Sequence, residues 1–142
     1  MLSHIYGPDL LPKIFSTWGQ FRGDFVFLEM SVIYGLYLAD HSVLSEIQAS
    51  CVTVACMLCT GFGLPALWHL RGLCRLLGAR GDTVAQNQEV VDKVQRLADA
   101  VRECVVYYDM KDKAKASKWP RVADVEQELG GFGNDLLSTS RT

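Results

Sequence analysis

The sequence predicts an all-α chain, a compact bundle of about six helices. Three observations carry this expectation. Apolar residues recur at three- and four-residue spacing along most of the chain. Cap-forming pairs and glycine–proline breaks divide those runs at helical lengths. No run alternates apolar and polar residues in the way a half-buried strand does.

The elements follow in order. Residues 8–21 carry Leu10, Leu11, Ile14, Phe15 and Trp18 at helical spacing, and Gly19 and Gly23 bracket a break after them. Asp24 is placed to cap a helix running to about Asp40, too long for an ordinary strand despite its aromatic content. Ser45 and Gln48 form a capping box for a helix ending at about Thr60, apolar on nearly every side and so expected at the centre of the bundle. Gly61, Gly63 and Pro65 stop it, and Pro65 suits the first turn of the next helix, which reaches Gly78. Thr83 and Gln86 make a second capping box for a long helix with the stripe Val84, Val91, Val94, Leu97, Ala98, Val101 and Val105. A lysine-bearing loop (Lys111, Lys113, Lys115, Lys118, Arg121) precedes a short helix over 120–129. Residues 1–142 form one domain, with its core in 8–129 and a disordered tail at 130–142.

Composition narrows the function classes. Fourteen basic against sixteen acidic residues give no basic excess, so no nucleic-acid partner is expected. The 49% hydrophobic content is high for a chain of this length, and a homo-oligomeric interface is the expected destination of the surplus. The apolar runs at 25–39 and 51–68 are interrupted by Glu29 and by Gly61, Gly63 and Pro65, so neither reads as a membrane span. The five cysteines (Cys51, Cys56, Cys59, Cys74, Cys104) lie in apolar helical runs and read as packing residues. Their odd number and the polar first residues point to a reducing, cytoplasmic setting.

No phosphate-binding glycine loop, zinc-binding HExxH or nucleophile elbow is present, so neither a cofactor nor a metal is expected. Cys56 and Cys59 do form a CxxC. It lies near the C-terminal end of its helix, where the dipole disfavours a thiolate. The stronger constellation is Trp68-His69-Leu70-Arg71. His69 shares a face with Ala66, Leu73 and Leu76 and suits proton transfer near neutral pH. Arg71, four residues before Arg75, is suited to a forked hydrogen bond with a carboxylate. Glu29, among Phe25, Val32, Ile33 and Leu36, would have its pKa raised by desolvation and suits a general acid or base. Tyr34, Tyr37 and Asp40 extend from the same helix. Each residue also has a plain structural alternative: a hydrogen-bonded core histidine, surface arginines, packing tyrosines.

At these residues the stretch 44–94 resembles the alkylhydroperoxidase-D-like and carboxymuconolactone decarboxylase superfamily. The resemblance rests on VLSEIQASCVTVACML, then PALWHLRGLCRLLGA, then a capped helix, with the spacing from His69 to Gly78. The peroxidase branch of that family uses a Glu, a CxxC and a His four residues after the second Cys. Counting back from His69, the cysteine positions fall on Phe62 and Pro65 and the glutamate position on Ser50. The resemblance therefore implies the decarboxylase-like branch: an all-helical homo-oligomer with a pocket at or near subunit contacts.

The function expected on this basis is a cofactor-free lyase or isomerase for a small oxygenated acid or lactone of catabolism or biosynthesis. His69 would move the proton, Arg71 hold a carboxylate or enolate, and Glu29 serve as a second acid or base. Trp68, Tyr34 and Tyr37 would wall the pocket. Two alternatives stand beside it: a thiol peroxidase or disulfide reductase using Cys56 and Cys59, and a non-catalytic helical homo-oligomer.

Overall fold

The computed structural model describes residues 2–108 and 119–133. Lys111, Lys113, Lys115 and Lys118 of the lysine-bearing loop, and 134–142 of the expected tail, lie outside them. Within the described residues the chain is all-α, as expected, with six α-helices. These are α1 (Leu2–Ser16), α2 (Arg22–Phe27), α3 (Glu46–Thr60), α4 (Gly63–Leu76), α5 (Gln88–Tyr107) and α6 (Asp124–Leu129). Without a break, α2 continues into a ten-residue π-helix, Leu28–Tyr37.

Local chemistry sets the helix limits. Ser45 Oγ accepts from the Gln48 amide (3.3 Å) and Gln48 Oε1 from the Ser45 amide (2.9 Å), so the first capping box forms. Gly61 ends α3 in the left-handed conformation (φ 76°), which costs a residue without Cβ nothing. Thr83 and Gln86 exchange the same two bonds, but a 3₁₀ turn at Ala85–Asn87 intervenes before α5 begins at Gln88. Asp24 is not a cap: α2 begins two residues earlier, and the aspartate sits in its first turn.

The main core joins α3, α4, α5 and α6 through Val54, Leu58, Leu70, Leu73, Val94 and Val125. Phe132 also belongs to it, fully buried, and its amide donates to the Gly81 carbonyl. Residues 130–133 are thus packed structure rather than the start of a tail. A second cluster lies across the other side of α4, where Ile5 and Tyr6 of α1 meet Tyr34 and Trp68. The core therefore extends to residues before Pro8.

The junction of α1 and α4 explains the two arginines. Gly7 (φ 65°) kinks α1 and leaves the last carbonyls of its first segment without helical partners. Arg71 Nη2 donates to the Ile5 carbonyl (2.9 Å) and Arg75 Nη1 to that of His4 (3.0 Å). Arg75 Nε also reaches the Phe132 carbonyl (2.6 Å). Between them, Gly72 lets the α1 backbone approach so closely that a Cβ there would lie 2.5 Å from Ile5 Cγ1. Both guanidinium groups are buried, and they bond carbonyls of distant chain segments.

The cysteines depart from the packing expectation. Cys74 is buried and Cys51 half-buried, whereas Cys56, Cys59 and Cys104 are exposed. The helix α3 turns Val54, Met57 and Leu58 inward, which leaves Cys56 and Cys59 on its exposed side. Among the described residues no helix is long and apolar enough to cross a membrane.

Candidate functional site

The second cluster borders a partly open cavity of about 260 Å³. Its walls come from α1 (Tyr6, Leu11, Ile14, Phe15), Trp18, the π-helix (Glu29, Ile33, Tyr34) with Leu38, α3 (Thr53, Met57) and α4 (Pro65, Trp68).

The π-helix decides which side chains reach it. At about 100° per residue, an α-helix sets residues five apart about 140° from each other. Glu29 and Tyr34 would then diverge. A π-helix bonds each amide to the carbonyl five residues back, as the Leu38 amide does to Ile33 (2.9 Å), and residues four and five apart share a face. Glu29, Ile33, Tyr34 and Leu38 follow that spacing into the cavity. Tyr37 falls on the outer face and is 70% exposed, away from the pocket expected for it.

Behind the cavity wall a hydrogen-bonded chain connects three side chains. Tyr6 Oη lies 2.9 Å from Tyr34 Oη, which lies 3.2 Å from His69 Nε2. Tyr6 meets Tyr34, Trp68 and His69 edge-on, at centroid distances of 6.2, 6.0 and 6.1 Å, so the cluster is held by ring packing as well. His69 is 2% exposed and does not line the cavity; it reaches it only through Tyr34. Burial lowers its pKa to about 4, so the imidazole is neutral at physiological pH.

Burial also raises the pKa of Tyr6 and of Tyr34, and both remain protonated. The direction of the chain then depends on the imidazole tautomer. With Nε2 protonated, the hydroxyls donate outward and Tyr6 presents a proton; with Nε2 bare, they donate inward.

Glu29 supplies the charge of the lining: it is the single ionisable acid or base besides the tyrosines among the described residues that form it. Burial raises its carboxyl pKa. Its field also raises the pKa of both Tyr6 and Tyr34. Thr53 adds an oxygen whose proton is already given to the Ala49 carbonyl (2.9 Å), so it can only accept.

Of the residues expected at a site, Glu29, Tyr34 and Trp68 converge on the cavity, and His69 stands behind it. Arg71 and Tyr37 are elsewhere. Tyr6 and Thr53 were not anticipated. The Gly7-Pro8 pair was the available sign that the chain turns back beside Tyr6. Among the described residues no group of three or more His, Cys, Asp and Glu side chains is arranged to hold a metal ion. Compared with known protein families, curated proteins and solved structures, the chain matches none.

Proposed function

We propose that the cavity is the active site of a cofactor-free isomerase or lyase that moves a proton on a small oxygenated compound such as a lactone. The reading rests on one observation: a carboxylate and a hydrogen-bonded hydroxyl pair meet at a single apolar cavity.

The steps balance without an added reagent. Glu29 takes the proton from the carbon beside a carbonyl, so the C–H bond breaks and its electron pair moves onto the carbonyl oxygen. The Tyr34–Tyr6 pair donates a hydrogen bond to that oxygen as charge develops. Glu29 then returns the proton to a different carbon, completing an isomerisation. Alternatively, the electron pair returns from the oxygen to form a C=C bond, a leaving group departs from the adjacent carbon with its bonding pair, and Glu29 passes that group the proton, completing an elimination. A raised carboxyl pKa brings the base nearer the operating pH, where proton transfer is most efficient.

His69 is a positioning residue in this scheme, because it acts through Tyr34. Arg71, bonded to the Ile5 carbonyl, has no part in it.

The test is conversion of a β,γ-unsaturated cyclohexenone or five-membered lactone to its conjugated isomer, followed by ultraviolet absorbance. Glu29→Gln is expected to lower turnover about a hundred- to ten-thousand-fold, and Tyr34→Phe to lower it less, since Tyr6 still donates. Unchanged turnover in folded Glu29→Gln would reject the scheme.

A further inference from the structure

The charge and shape of the cavity define the class of molecule it accepts, on the premise that this cavity is the reaction site. Its wall carries six rings: Phe15, Trp18, Trp68, Tyr6, Tyr34 and the pyrrolidine of Pro65. Among the described residues lining it there is one carboxylate, Glu29, and no cationic side chain. The buried arginines nearest in sequence to Trp68 bond the carbonyls of His4, Ile5 and Phe132. An anionic substrate would lose its water inside this wall without gaining a counter-ion, and would face Glu29 as well. A neutral carbonyl group, by contrast, needs one hydrogen-bond donor, and Tyr6 can supply it when His69 and Tyr34 donate along the chain towards it.

We propose that the site is selective for neutral, compact, cyclic carbonyl compounds, lactones or enones of one or two rings, and that Glu29 excludes carboxylates. Specificity of this kind depends on repulsion of the wrong ligand as much as on attraction of the right one. It divides the substrates expected from the sequence: the closed lactone enters, and the open-chain acid does not. It also limits the chemistry. Decarboxylation requires a carboxylate in the cavity, whereas isomerisation and elimination start from the neutral ring.

Binding tests this independently of turnover. Two of the three tryptophans, Trp18 and Trp68, line the cavity and report occupancy by fluorescence. The probes are cyclohexenone, cyclohexanecarboxylate and cyclohexylammonium, which are similar in size and differ in charge. Cyclohexenone is expected to bind at least about tenfold more tightly than cyclohexanecarboxylate at neutral pH. Glu29→Gln should narrow that ratio by improving carboxylate binding, with cyclohexenone affinity changed little.

Carboxylate binding equal to that of the enone would overturn the proposal. So would tighter binding of the ammonium, which would mark the ring-lined wall and Glu29 as a cation site. Binding of none of the three would overturn it too. Charge selectivity without conversion of the β,γ-unsaturated cyclohexenone or lactone to its conjugated isomer would instead reject the proton-transfer scheme and leave this inference standing.

Discussion

At the residue scale, His69 is the clearest case of a side chain whose chemistry was legible and whose position was not. Its apolar helix face indicated burial, and it is buried, but its partner is a tyrosine 35 positions earlier. The burial has a consequence for stability. With a folded-state pKa of about 4 against an ordinary 6.5, the folded protein binds fewer protons than the unfolded chain between those values. Stability should therefore be intact above about pH 6.5 and fall as the pH drops towards 4, by up to about 1.4 kcal/mol per pH unit. His4, whose pKa is also lowered by burial, adds in the same direction. Chemical denaturation across that range should show a shallower slope in His69→Phe than in the wild type. The same variant should lower turnover while leaving cyclohexenone affinity unchanged, and His69→Gln, which can still bond Tyr34, should restore part of it. A histidine used only for packing would lose stability in His69→Phe with turnover per folded molecule intact.

At the scale of the element, helix limits were readable because they depend on neighbouring residues. Ser45, Gln48 and Gly61 act within one turn of their own position. The π-helix was not readable, because the run from Leu28 to Tyr37 is apolar apart from Glu29 and Ser31 and no periodicity distinguishes its winding. Reading that run on an α template pairs Tyr34 with Tyr37 and separates it from Glu29; the wider turn does the reverse. Arg71 and Arg75 were unreadable for another reason: their partners, His4, Ile5 and Phe132, lie between 57 and 71 residues away in the chain. Gly35 tests the winding directly. In an exposed α-helix, Gly→Ala stabilises by about 1 kcal/mol. Here the new Cβ would lie 2.8 Å from the Met30 carbonyl oxygen, the backbone atom five residues back. Gly35→Ala is therefore expected to lower the melting temperature and turnover together. A rise in melting temperature would indicate an α-helical segment and remove the basis for grouping Glu29 with Tyr34.

At the scale of the whole molecule, the outer surface of that same segment bears on assembly. The inner face of the π-helix covers the cavity, while Phe27, Leu36 and Tyr37 are 64, 63 and 70% exposed on the other side. Phe21, Phe25 and Leu28 extend the exposed apolar surface along the same stretch. Large apolar side chains exposed together on one chain segment are candidates for an interaction site. The sequence led to the same expectation from composition alone, since a chain this short leaves little room to bury its apolar surplus internally. A second copy docked on this face would cover the apolar residues and hold the π-helix over the cavity, linking assembly to the integrity of the site. Light scattering at micromolar concentration is expected to give at least a dimer. Phe27→Glu combined with Leu36→Lys places two charges on the outer face without touching the cavity lining, and should shift the protein towards monomer. If the π-helix relies on the second copy, that variant should also lose cyclohexenone binding, with its far-ultraviolet circular dichroism still mainly helical. A wild-type protein that is a monodisperse monomer under these conditions would exclude the assembly, and the cavity would then have to be closed by the contacts of a single chain.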